Sequence, residues 1–142
     1  MYRIREVDAT DEEVAETIRY FNRQTEDFPH ITDEEFETGH WWLAYLNKEA
    51  VAFAGLMPSR QYHGVGYFKR AGVDPEHRGN GLQIRLMRVR ITKARKLGYS
   101  HIVSECTETP FSANNFIKAG FKVYDPKFPW AFKNSIYWIL KL

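Results

Sequence analysis

The stretch from residue 67 to residue 98 most limits what this chain can fold into. It opens with "YFKRAGVD", which reads as a strand, and passes through "PEHRGNG" into "LQIRLMRVRITKARKLG". In the last segment Ile84, Met87, Ile91 and Ala94 recur at helical spacing, predicting a long helix with one buried face. Gly98 reads as the residue that closes it. A strand, a glycine turn and an amphipathic helix in immediate succession call for a sheet on which the helix can lie. "HIVSECT" follows as the next strand, so strands alternate with helices in this half of the chain, the pattern of α/β packing.

The remaining segments fit around that unit. "MYRIREV" alternates and reads as a strand. "DATDEEVAETIRYFNRQ" reads as a helix, with Thr10 as its cap and Val14, Ile18 and Phe21 on its apolar face. "TEDFPHITDEEFETG" is an acidic connection with a helical turn from Asp33. "HWWLAYL" and "EAVAFAGLMP" are apolar runs separated by Asn47-Lys48, an antiparallel hairpin, which argues for a mixed sheet. "FSANNFIKAGF" is a short helix, and "KVYDP" and "SIYWILKL" are two last strands joined by the aromatic loop "KFPWAFKN". The order β-α-(α)-β-β-β-α-β-α-β-β has no linker or repeat, so residues 1–142 read as one α/β domain.

Composition sets outer limits on function. With 20 basic and 18 acidic residues, the charge is too even to imply a nucleic-acid or membrane partner. The one cysteine, Cys106, allows no internal disulfide, and the five histidines are scattered, so no metal site is expected. The first residues are charged and lack an apolar run, and no stretch is long and apolar enough for a membrane span. A cytoplasmic protein is the expectation, and a homodimer is compatible with it.

The glycine turn carries the first chemical signal. The opening turn of a helix exposes unpaired N–H groups at the positive end of its dipole, an arrangement that binds phosphate. Gly79 and Gly81 let a bulky anion approach the backbone, and each can adopt positive φ. Arg78 adds a fork of donors. A tight turn with a glycine cap would use the same residues. The spacing excludes a P-loop, which needs Gly-Lys-Ser/Thr, and a dinucleotide fingerprint, which needs a third glycine and a later acid.

"VDPEHRGNGL" before an amphipathic helix, followed by "SANNFIKAGF", resembles the GNAT superfamily of acetyl-CoA-dependent N-acetyltransferases. The phosphate motif of that family, Q/R-x-x-G-x-G/A, stands here as Arg78-Gly79-Asn80-Gly81-Leu82-Gln83, with Gln83 where Gly or Ala is usual. The resemblance is best over residues 50–125. It implies a twisted mixed sheet in which "YFKRAGV" and "HIVSECT" are parallel neighbours that splay apart at their C-terminal ends. It also implies that acetyl-CoA lies in that gap, its pantetheine arm on the backbone of Ala71, Gly72 and Val73 and its pyrophosphate on residues 78–83. Asn114 in the second motif is implied as a further donor to the cofactor. Phe116 stands where many members have a tyrosine that protonates the departing thiolate.

The implied reaction is attack of an amine on a thioester, which needs a base for the amine, a polarised carbonyl and a proton for the thiolate. Tyr67, Glu105 and Tyr124 are the candidates. Tyr67 is expected on the same side of its strand as Ala71 and Val73; Glu105 and Glu108 lie near the end of the splayed strand; Tyr124 is a substitute acid. Cys106 reads as a core residue and not a nucleophile. The acceptor is expected to be a small-molecule or peptide amine. The acidic connection (Glu26, Asp27, Asp33, Glu34, Glu35, Glu37) would draw in a cationic amine, and Phe128, Trp130 and Phe132 would meet an apolar portion. Arg85, Arg88, Arg90, Lys93, Arg95 and Lys96 read mainly as a solvated helix face. The rival reading, motivated by Phe116, is a domain of this fold that binds or senses acyl-CoA without turnover.

Overall fold

Every apolar run read as a strand joins one sheet. The computed structural model describes residues 1–24 and 29–142. The strands are β1 (Tyr2–Val7), β2 (His40–Leu46), β3 (Glu49–Pro58), β4 (Val65–Val73), β5 (His101–Thr107), β6 (Lys122–Tyr124) and β7 (Ser135–Lys141). The helices are α1 (Glu12–Arg23), α2 (Asp33–Thr38), α3 (Leu82–Lys96) and α4 (Pro110–Lys118). The strand order is β1-β2-β3-β4-β5-β7-β6. Among the described strands only β4 and β5 pair in parallel; the other neighbours are antiparallel. This is the mixed α/β sheet expected.

Each face of the sheet buries one apolar cluster. Leu82, Leu86, Met87, Ile91 and Ala94 of α3 and Phe116 of α4 pack on Ala52, Ala54, Leu56 and Phe68. On the opposite face Ala15, Ile18 and Phe21 of α1 and Phe36 of α2 pack on Trp41, Leu43, Phe53 and Met57. Such two-sided burial is what gives β2 and β3 their near-continuous apolar sequences.

Local chemistry sets the ends of the helices. Asp11, not Thr10, caps α1, its carboxylate accepting from the N–H groups of Glu13 (2.9 Å) and Val14 (3.3 Å). Thr10 instead donates its N–H and hydroxyl to Asp8. An aspartate one position later offers the stronger acceptor. In α2, Thr32 and Glu35 form a capping box. Gly98 has φ of 80° just beyond α3, as its closing role requires.

One register shift changes which side chains share a face. In the β3–β4 ladder Ala54 pairs with Ala71 but Gly55 pairs with Lys69, leaving Arg70 as the extra residue of a β-bulge. Strict alternation would put Tyr67, Ala71 and Val73 on one side. After the bulge, Ala71 and Val73 pack with the α3 cluster, whereas Tyr67 packs with the α1–α2 cluster. The expected parity of Tyr67 is therefore wrong: it faces away from Ala71 and Val73.

Candidate active site

Two structures meet beside β4: a helix tip and a gap between strands. Gly79 and Gly81 both have positive φ, 82° and 75°. Gly81 occupies the N-cap of α3, where no side chain caps the first-turn N–H groups. A Cβ built at either glycine would meet nothing within 4 Å, so the tip is open in front of the backbone. Asn80 is exposed, and its side-chain amide folds back along the turn to donate to the His77 carbonyl at 3.0 Å. Arg78 is exposed, Leu82 is buried, and Gln83 is half-buried in the first turn.

The gap follows from where the parallel ladder stops. β4 and β5 pair at Val65–His101, Gly66–Ile102 and Tyr67–Val103, and no further. One more link, from the Ser104 hydroxyl to the Phe68 carbonyl (3.3 Å), closes the crotch. Beyond it β4 runs on to Val73 and β5 to Thr107 without pairing to each other. The backbone of Ala71, Gly72 and Val73 thus borders a cleft that leads toward the tip of α3.

The sheet register brings the three candidate catalytic side chains together. Glu105 pairs with Tyr137, and Tyr137 with Tyr124, so the three form one transverse row on the face shared with Tyr67. Tyr67 donates its hydroxyl to Glu105 Oε1 at 2.5 Å, spanning the splay, and the Trp130 indole donates to Oε2 at 3.0 Å. Trp130 itself packs edge-on against Tyr137 at 4.6 Å between ring centroids. Burial, then the charge of Glu105, raises the Tyr67 pKa far above that of a free tyrosine. Tyr67 is thus a fixed donor to Glu105 and not a base. The Tyr124 hydroxyl is buried and lies close to that of Tyr62 without meeting it in a formed hydrogen bond. Burial first, then Tyr62, raises its pKa as well.

Beside this row is a cavity of about 250 Å³, lined by Glu35, Met57, Arg60, Tyr67, Lys69 and Trp130 among others. Its charged lining residues are one acid, Glu35, and two bases, Arg60 and Lys69. Glu35 Oε2 meets Lys69 Nζ at 2.7 Å, and Oε1 accepts from the Thr32 N–H and hydroxyl. Burial would raise the Glu35 pKa, but the Lys69 and Thr32 bonds outweigh it and hold it below the usual value. The bulge residue Arg70 stands within the fields of Tyr67, Glu35 and Glu105.

A family model described as the acetyltransferase (GNAT) family matches residues 2–121. The chain belongs to the GNAT acetyltransferase family. Among solved structures, this GNAT chain is similar to the acetyltransferase of Bacillus subtilis in complex with CoA (TM-score 0.74, 21% identity, 100% of this chain and 99% of that one). It is similar to the ribosomal-protein-S18-alanine N-acetyltransferase of Escherichia coli (TM-score 0.71, 17% identity, 98% and 91%). It also resembles a chain of the NatC complex bound to Gag peptide and CoA (TM-score 0.80, 19% identity, 99% and 98%). At these identities the likeness is one of fold. A sequence comparison with curated proteins gives no match.

Several residues singled out in the sequence occupy other surroundings in this GNAT domain. Phe116 is buried, stacked on Trp138 at 5.3 Å and edge-on to Phe121, as a core residue. Cys106 is buried too and accepts from the Trp138 indole. Asn114 is exposed on α4. In the acidic connection Asp33 pairs with Arg19 at 2.6 Å and Glu35 with Lys69, so neither offers a free charge to an acceptor; Glu26 and Asp27 lie outside the described residues. The basic helix is not uniformly solvated: Lys93 pairs with Glu6, Arg85 donates to the Tyr2 carbonyl, and Arg90 is buried. Sequence reading also missed Trp130 as a direct partner of Glu105 and Lys69 as a wall of the cavity. Neither carries a local motif; only strand register and the course of the aromatic loop bring them in. Among the described residues no helix is long and apolar enough to cross a membrane.

Proposed function

We propose that this chain moves an acetyl group from acetyl-CoA to a primary amine of a small molecule or peptide. The observation that carries the reading is the row Glu105–Tyr137–Tyr124, set where the β4–β5 ladder ends. Acetyl-CoA supplies, when bound, an acyl thioester open to an amine. The chain's own residues fit such a ligand: uncapped N–H groups and two positive-φ glycines at the tip of α3, and strand backbone unpaired with β5 at residues 71–73. Arg78, Gly79, Asn80, Gly81, Leu82 and Gln83 hold the diphosphate, Asn80 and Leu82 through backbone alone because the Asn80 amide is bonded back to the His77 carbonyl and the Leu82 side chain is buried. Asn114 adds a donor from α4. That the B. subtilis and NatC structures were solved with CoA supports this assignment.

In this reading Glu105 takes the proton from the incoming ammonium. Tyr67 and Trp130 fix its carboxylate by one hydrogen bond each, leaving other lone pairs for the amine or an intervening water. An N–H of the Ala71–Val73 backbone polarises the acyl carbonyl. Tyr124, kept protonated by its raised pKa, returns a proton on the leaving side. It takes the part that Phe116, having no proton, cannot. The acceptor enters through the cavity lined by Glu35, Arg60, Lys69, Tyr67 and Trp130; with Glu35 paired to Lys69 and Arg60 beside them, its lining disfavours a polycation and suits an amine on a neutral or anionic body. The S18-alanine enzyme and the peptide-bound NatC chain are in keeping with a peptide terminus.

The test is incubation with acetyl-CoA and a panel of peptides and small amines, reading free thiol release and acetylated product. Transfer to at least one amine, strongly slowed by Glu105→Gln, is expected. Binding of CoA without turnover on any amine would favour the sensing domain, the reading that the buried Phe116 supports.

A further inference from the structure

Arg90 is a charged residue at the centre of an apolar face. It is 2% exposed, and no carboxylate pairs with it among the described residues. An isolated buried cation is costly, so its partners show what it holds. Its Nη1 donates to two carbonyls, Gly55 on β3 at 3.1 Å and Lys69 on β4 at 3.3 Å. These are the paired residues at the β-bulge, immediately before the bulge residue Arg70. Nε donates to the Leu86 carbonyl at 3.1 Å, fixing the side chain on its own helix. The guanidinium lies 3.8 Å over the ring of Phe68, the β4 residue before Lys69. Gly55 cannot carry a side chain, because its Cβ would stand 2.6 Å from the Trp41 ring. Both strands of the bulge are thus pinned from the α3 side by one group.

We infer that Arg90 is a positioning residue: it clamps the β4 bulge and thereby sets the direction of the Ala71–Val73 backbone that faces the acyl group. The inference rests on the acetyl-transfer reading above. The bulge decides the face to which residues 71–73 point, and Arg90 spans it from β3 to β4. α3 therefore links the two parts of the site: its first turn holds the diphosphate, and its third turn holds the strand where the carbonyl is polarised. A displacement of about 1 Å in such a hole lowers a rate by about a hundredfold while leaving distant contacts intact. Burial pulls the Arg90 pKa down to about 9, so the charge is a burden to folding at neutral pH and its loss need not unfold the protein.

The experiment compares Arg90→Met with Arg90→Lys in the full chain. Arg90→Met keeps the volume and removes the donors. It is expected to stay folded and bind CoA within about threefold of the native protein, while kcat falls roughly 10- to 100-fold. Arg90→Lys, which retains a cation and donors, recovers part of the lost kcat. Amide spectra of the free proteins add a readout independent of turnover: in Arg90→Met, shifts concentrate at residues 54–55 and 69–73, and amides there exchange at least about tenfold faster. Unchanged kcat, or unchanged amides at the bulge, would overturn the inference. If Arg90→Met does not fold, Arg90→Lys decides by the same amides and by its kcat against its KM. If the native protein acetylates no amine, the transfer reading fails, and the amides still decide whether Arg90 holds the bulge.

Discussion

Glu105 owes its position to two donors from different elements, the Tyr67 hydroxyl across the splay and the Trp130 indole from the β6–β7 loop. Glu105→Gln keeps the shape and removes the proposed base, so kcat should fall by about 10² to 10⁴ with CoA affinity unchanged, measured by thiol release and calorimetry. Tyr67→Phe leaves the base present but less well held, and should cost less. Glu35 gives a stability prediction with a definite sign. Its pKa is lowered in the folded state, so its contribution is complete above the unfolded value of 4.5 and is lost as pH falls through the folded one. Thermal melts from pH 7 to pH 3 should show this loss in the native protein. Glu35→Gln should be less stable at pH 7 by about 1–3 kcal/mol, because Lys69 loses its partner, and should show a shallower fall with acid.

Among the elements, α3 carries most of the proposed site, and most of it was legible. The Gly79–Gly81 turn, the closing Gly98 and the apolar stripe place the helix and its open tip from sequence alone, because each rests on local backbone chemistry. Gly81→Glu should leave the fold intact, since a Cβ there meets no neighbour, yet abolish measurable CoA binding by placing a carboxylate where phosphate belongs. Strain at φ of 75° should lower stability by about 1 kcal/mol. What sequence hid on α3 is Arg90. Positions 86, 90 and 94 lie on one buried face, but a guanidinium there reads as solvent-facing by residue type. The bulge was hidden for another reason. Nothing in "YFKRAGV" marks Arg70 as the extra residue; it is defined only by pairing with β3, and its effect is to reverse the side to which Ala71 and Val73 point. The row Tyr124–Tyr137–Glu105 is likewise a product of register across three strands, and no local spacing encodes it.

At the scale of the whole molecule, we propose that the cleft between β4 and β5 and the tip of α3 together hold CoA. Binding to the native state alone should stabilise the protein by about 2.7 kcal/mol at a hundredfold excess over Kd, read as a rise in Tm of several degrees. Gly81→Glu should show no such rise, whereas Glu105→Gln should show all of it. The most direct measurement is an amide-resolved titration of the protein with CoA. The account predicts that the largest shifts fall at Gly79–Ile84 and at Ala71–Val73, two segments joined only through the fold. Shifts centred elsewhere, or unchanged spectra at millimolar CoA, would contradict it.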